Sequence, residues 1–210
     1  MDQPQPANPL PQTPATEGQP SPETGEAKRL AKKYLLIVWD FVKIIIIAAI
    51  IVLPIRYFLF QPFIVKGDSM VPNFHSGDYL IIDEISYRIT EPRRGDVVVL
   101  KYPLDESQRF IKRIVGMPGE TVDVANGKLQ ISKDGKKIPV DESYLPEGLA
   151  TEGSVHIVLA EDAYFVLGDN RQFSYDSRRW GALPKEDIIG RAVLRIFPLQ
   201  SLSLIAAPAY

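Results

Sequence analysis

The 210-residue chain contains no cysteine and only two histidines, His75 and His156. This excludes thiol nucleophiles, disulfides, cysteine-based zinc sites and iron–sulfur ligation, and it leaves too few imidazoles for a histidine-rich metal centre. Catalysis, if present, must use Ser, Thr, Lys, Tyr or carboxylates. Three segments hold such groups at tight spacing. In Gly67-Asp68-Ser69-Met70-Val71-Pro72 a serine follows a strand-like run and sits in a turn set by glycine and proline. That geometry can expose a hydroxyl and a backbone N–H together. In Phe110-Ile111-Lys112-Arg113-Ile114-Val115-Gly116 a lysine lies inside an apolar run. Strand alternation puts Phe110, Lys112 and Ile114 on one face and Ile111, Arg113 and Val115 on the other, so one of the two cations is expected to point to the apolar side. A lysine held there loses hydration, which favours the neutral amine, a competent general base for a serine hydroxyl. The third segment, Gly168 to Gly181, is dense in polar groups, and Asp176 and Arg178 are spaced to share one side of an extended stretch.

Taken singly, each segment has an ordinary reading: a common Gly-Asp-Ser turn, a solvated or ion-paired strand lysine, a well-tied surface loop. His75, six residues after Ser69, leaves a Ser–His pairing open, and His156 between Val155 and Ile157 reads as a strand residue.

The elements that would position these groups lie in residues 61–210. Short β-prone runs alternate with Gly, Pro, Asn and Asp: Phe63–Lys66, Tyr79–Asp83, Asp96–Lys101, Arg109–Gly116, Thr121–Val124, Lys128–Ser132, His156–Leu159, Ala163–Leu167 and Arg191–Phe197. Their spacing predicts a mostly β domain with antiparallel sheet in a sandwich or partly closed barrel. The Gly-Asp pairs at Gly67, Gly77, Gly95 and Gly168 are irregularly spaced and mark turns, not repeats. Pro184–Asp187 reads as one helical turn.

Residues 1–27 are expected to form a disordered tail, because residues 1–26 hold seven prolines, four acids and no Lys or Arg. Residues 28–60 begin with Lys28, Arg29, Lys32 and Lys33. Tyr34 to Phe60 then carries only Asp40, Lys43 and Arg56 as charges. This predicts a membrane anchor, with Trp39, Tyr57 and Phe58 at interfacial depth. A buried core helix would lack a polar face, and a cleaved signal peptide would need a small-residue site after the run. The basic flank puts the N-terminus in the cytoplasm and residues 61–210 outside. The overall charge of −2 averages an acidic tail with a remainder of 24 basic and 22 acidic groups, and gives no general case for nucleic-acid binding.

The three segments together, in this order behind an anchor, resemble the membrane-bound type I signal peptidases, and the resemblance runs from about residue 34 to 200. Ser69-Met70-Val71-Pro72 is similar to the nucleophile box, Lys112 to Glu120 to the lysine box, Gly168 to Gly181 to the C-terminal box, and Gly95 to Val99 to the remaining strand box. The resemblance implies the antiparallel signal-peptidase/LexA-like fold. It implies Ser69 as nucleophile, Lys112 as general base, and Ser174 as a hydroxyl that bonds and orients the lysine amine. Asp169, Arg171, Asp176, Arg178 and Arg113 would be structural support. The Ser69 N–H would serve the oxyanion. Some members add a hydroxyl two residues earlier, but Gly67 stands there, so that donor would be backbone or water. Asn73 and Phe74 depart from the usual Thr and Leu.

The implied reaction is removal of N-terminal signal peptides from exported preproteins through an acyl-enzyme, with no cofactor or metal and no nucleic-acid partner. The peptide would lie along Phe63–Asp68, with small residues in pockets near Phe63, Val65, Met70 and Ile111. The implied setting is the lipid bilayer of a plasma or thylakoid membrane, near the export translocon. Roughly 45 residues separate the lysine and C-terminal boxes, as in compact family members. Two alternatives stay open on the residues alone: a self-cleaving Ser/Lys protease of the repressor type, and an inactive membrane-tethered binding domain.

Overall fold

A computed structural model of the chain describes residues 22–54 and 60–207. Residues 1–21, Arg56, Tyr57, Phe58 and the last three residues lie outside the described residues. Helix α1 (Pro22–Pro54) begins inside the segment expected to be a tail. Its first residue is a proline, which has no N–H to satisfy at a helix start. Within it Lys28–Val52 contains an 18-residue window of mean hydropathy 2.8, none of which is buried. It is long and apolar enough to cross a membrane once. Lys43 reaches Asp40 one turn back, Nζ to Oδ1 3.1 Å, so the two charges inside the span neutralise each other.

The remainder is built from antiparallel strands. Their ranges are β1 (Phe60–Ile64), β2 (Tyr79–Asp83), β3 (Val97–Tyr102), β4 (Asp105–Gly116), β5 (Thr121–Ala125), β6 (Lys128–Lys133), β7 (Lys136–Ile138), β8 (Val155–Val158), β9 (Ala163–Leu167), β10 (Leu183–Pro184), β11 (Ile188–Phe197) and β12 (Ser203–Leu204). The larger sheet runs β1-β2-β11-β3-β4-β9-β10, with β12 beside β11; the smaller runs β7-β6-β5-β8. Two short helices, α2 (Ser86–Ile89) and α3 (Ser177–Trp180), complete the domain, and Lys185–Asp187 forms a 3-10 turn.

The larger sheet is covered on both faces. Val97, Val99 and Ile111 join Val65, Met70, Phe74, Leu80 and Ile82 on one side. Val98, Leu100 and Ile114 join Tyr164, Val166 and Leu183 on the other. A third cluster, with Val115, Phe165 and Leu167 against Val122 and Ile131, ties the smaller sheet to the ends of β4 and β9. Strands β3 and β9 are therefore apolar at almost every position instead of alternating. The same double cover corrects the expectation that only one of Lys112 and Arg113 faces apolar surroundings: they are 3% and 4% exposed, and both are buried.

Candidate active site

After Val65 the chain leaves the sheet, with the Val65 N–H on Asp78 O and the Gly77 N–H on Val65 O, both 2.9 Å. It turns at Gly67, whose φ of +84° is left-handed and suits glycine. A tight turn then carries Ser69: the Val71 N–H reaches Asp68 O at 3.2 Å and the Phe74 N–H reaches Met70 O at 2.9 Å. Met70 and Phe74 plug this turn into the core, which leaves Ser69 half-buried at its rim. From the other side Asn170 clamps it, its N–H on Ser69 O and its Nδ2 on Asp68 O, each at 3.0 Å.

Lys112 approaches from β4. Its Nζ lies 2.9 Å from Ser69 Oγ and 2.9 Å from the carbonyl of Ile111. The Phe110 ring centroid is 5.3 Å from the same nitrogen. Among the described residues no carboxylate is paired with it, and burial pushes the amine down from 10.5 to about 8, against the smaller opposing pull of Asp176 and Asp169. A buried amine with that affinity for protons can be neutral at working pH and can take one from the serine hydroxyl.

The supporting residues meet beneath the pair. Arg113 donates to both oxygens of Asp169, at 2.9 and 2.6 Å, and to Gly95 O at 2.9 Å, with its guanidinium 4.0 Å from the Tyr144 ring centroid. Asn73 Nδ2 bridges Asp169 Oδ2 at 2.9 Å and Tyr144 O at 2.8 Å, so the departure from Thr at this position has its own function in holding the loop. The Asp169 N–H points to Met70 Sδ at 3.5 Å. Arg171 is paired with Glu142 at 2.6 Å and donates to Thr151, Tyr144 and Gly168 O. Asp176 caps α3, accepts the Gly168 N–H at 3.1 Å and holds Arg178 through two bonds of 2.8 Å.

Ser174 lies beside this cluster, but its expected bond to the Lys112 amine is not formed. The amine is turned to Ser69 Oγ and to the Ile111 carbonyl of its own strand, and the enclosed Ser174 Oγ has no partner among the described residues. Gly168 explains how closely Ser174 and Ser69 are packed: a Cβ there would sit 2.2 Å from Ser174 Oγ and 2.4 Å from Ser69 O. Sequence reasoning placed Gly168 only in a turn and gave Asn170 no role. Their location inside the C-terminal box was the available signal.

A groove of about 560 Å³ opens beside the dyad, lined by Pro62 to Ile64, Lys66, Ser69 and Ser107 to Lys112. Phe63 and Ile111 lie on its wall. Val65 and Met70, expected there, are instead 1% and 0% exposed in the core behind it, because the same turn that exposes Ser69 drives its neighbours inward. Two cations that the sequence reading did not single out, Lys66 and Arg109, also line the groove. Strand β1 pairs only with β2, and Asp105 to Lys112 of β4 pair only with β3, so both flanks of the groove offer open strand edges among the described residues. Gly67 has open space where a side chain would stand, and its N–H is 3.4 Å from Ser76 Oγ.

Comparison with known proteins identifies the family. The family model described as "Signal peptidase, peptidase S26" matches residues 38–197. The chain is 34% identical over 209 residues to a signal peptidase I of Leptolyngbya laminosa, with 96% of each chain covered. It is 37% identical over 172 residues to a probable signal peptidase I-1 of Synechocystis, covering 76% of this chain and 85% of the relative. A signal peptidase I of Bacillus licheniformis is 37% identical over 187 residues, covering 84% and 97%. The chain belongs to the S26 family of signal peptidases.

Proposed function

We propose that Ser69 and Lys112 form the catalytic dyad of this serine endopeptidase, which removes signal peptides from exported preproteins. The observation that carries the assignment is the 2.9 Å approach of a buried, carboxylate-free amine to a serine hydroxyl at the edge of a groove. With the amine near 8, about a tenth of it is neutral at pH 7. Neutral Lys112 accepts the Ser69 proton as Oγ attacks the scissile carbonyl carbon. The oxyanion forms opposite the Ser69 N–H. The ammonium returns its proton to the leaving amine, and the carbon–nitrogen bond breaks to give the Ser69 ester. Lys112 then takes a proton from water, which attacks the ester, and hands it back to Ser69 Oγ.

The peptide lies extended in the groove and adds its backbone to the open edges of β1 and β4, with Phe63 and Ile111 restricting the side chains nearest the cut to small ones. Asp169, Arg113, Arg171, Asp176 and Arg178 fix the loops and take no part in proton transfer. Gly67 leaves any second oxyanion donor to backbone or water. The basic residues Lys28, Arg29, Lys32 and Lys33 before the apolar helix support a cytoplasmic N-terminus and a catalytic domain on the opposite side of a plasma or thylakoid membrane. Tethering there, near the translocon, would concentrate the enzyme where signal peptides emerge.

The test is cleavage of a preprotein in liposomes by wild type, Ser69→Ala and Lys112→Ala. Loss of about 10³-fold or more in both variants is expected. Equal rates in all three would remove the dyad.

A further inference from the structure

Tyr102, the last residue of β3, and Tyr175, the residue after Ser174, touch through their hydroxyls. The oxygens are 3.0 Å apart, and the rings meet edge to face with centroids 5.8 Å apart. Tyr102 is buried and packed on both sides, with Phe110 at 5.1 Å and Trp180 at 6.2 Å between centroids. Phe110 in turn is the ring beside Lys112 Nζ. Tyr102, Phe110 and Lys112 share one face of the β3–β4 hairpin, since Leu100 pairs with Phe110 and Val98 with Lys112. A chain of contacts therefore runs from the base through Phe110 and Tyr102 to Tyr175, and ends at the residue adjoining Ser174.

Elsewhere the Ser174 segment is held by its ends and by Arg171, which is paired with Glu142. Asn170 fastens its start to the nucleophile turn, and Asp176 fastens its finish to Gly168. Between them Phe173 is three-quarters exposed, and the enclosed Ser174 hydroxyl has no hydrogen-bond partner among the described residues. The Tyr102–Tyr175 hydroxyl contact ties the middle of this segment to the strand pair bearing Lys112. A hydroxyl that must meet a single lysine nitrogen depends on such a tie, because small displacements are costly in catalysis.

We infer that Tyr102 and Tyr175 are positioning residues: their hydroxyl contact holds the Ser174 segment against the β3–β4 hairpin and so sets where Ser174 stands relative to Lys112. The inference rests on the reading of Lys112 as base and Ser174 as the group that orients it.

Tyr102→Phe and Tyr175→Phe each keep the ring and delete one side of the contact. In single-turnover cleavage of a preprotein, with enzyme in excess so that slow variants stay measurable, each is expected to lower the rate about threefold to tenfold, with KM unchanged in steady state. The double variant should lose no more than either single one, because both remove the same bond. In a Ser174→Ala background Tyr175→Phe should cost nothing further. Wild-type rates in both phenylalanine variants would overturn the inference. So would an equal loss with and without Ser174, which would mark the tyrosines as general packing. Thermal melts of each variant separate loss of fold from loss of positioning. Undiminished cleavage by Ser69→Ala would instead break the dyad, a result these tyrosine comparisons do not mimic.

Discussion

Lys112 and Arg113 are neighbours on β4, almost equally buried, and their charged heads meet opposite surroundings. Arg113 finds a carboxylate in bidentate geometry, a carbonyl and an aromatic face. Lys112 finds a hydroxyl, a carbonyl and the Phe110 ring, and among the described residues no carboxylate pairs with it. Buried Arg171 and half-buried Arg178 follow the Arg113 pattern, the first with Glu142 and the second with Asp176. Lys112 is the one buried lysine among the described residues. Burial without a counter-charge makes the amine release its proton readily, whereas burial with one fixes a charge as a structural strut. The two faces of a single strand thus separate reactivity from support.

Exchanging the heads should have the largest effect. Lys112→Arg places a permanently charged guanidinium where a proton acceptor is needed. The expected outcome is a folded protein whose kcat has fallen at least ~10³-fold, read by preprotein cleavage alongside a thermal melt. A variant within tenfold of wild type would show that discharge of residue 112 is not required.

On the supporting face, Asp169→Ala removes the bidentate carboxylate from Arg113. Removing one partner of a buried pair costs about 3–5 kcal/mol, which lowers the thermal midpoint by roughly 6–20 °C for a domain of this size. An unchanged midpoint would mean that Arg113 is hydrated and the contrast with Lys112 is false.

Lys112→Met tests the stability cost of the reactive face. The folded amine titrates near 8 and the unfolded one near 10.5, so between these values the unfolded chain holds more protons. Wild-type stability therefore rises as pH climbs from 8 to 10.5, and the full penalty is present below 8. The methionine variant should be inactive yet up to about 3 kcal/mol more stable than wild type at pH 7, with the advantage vanishing above pH 10.5. Denaturation at pH 7 and pH 10.5 measures it, and an advantage independent of pH would assign the gain to packing.

How far these features could be read from residues alone differs from place to place. Strands β2 and β9 fall where the apolar runs place them, and the lysine and C-terminal boxes stand out because their polar groups interrupt apolar pattern without a local reason. The burial of Arg113 was illegible, since it depends on Asp169 and Tyr144, which reach it from elsewhere in the chain. The inward turn of Val65 and Met70 likewise follows from packing behind the groove, which local alternation does not report. Strand β7 had a local signal in Asp134-Gly135, both at positive φ in its hairpin turn, but its three residues are too few to show a period. The two-residue strands β10 and β12 exist only through their partners β9 and β11.

The smallest expected effect links the reactive lysine to the loop that frames it. Asp176 opposes burial by favouring the Lys112 ammonium, ahead of Asp169. Asp176→Asn keeps a side chain able to cap α3 and to accept the Gly168 N–H, while removing the negative charge. With less to stabilise it, the ammonium should lose its proton more readily, so the rising limb of kcat/KM against pH should move to lower pH. The direction is diagnostic. A limb that moves to higher pH would mean that the loop has opened and water has reached the amine, and Asp176 would then act by sealing the site instead of by its charge. A limb that stays in place would mean that Arg178, bonded to both oxygens of Asp176, already cancels its field at Lys112.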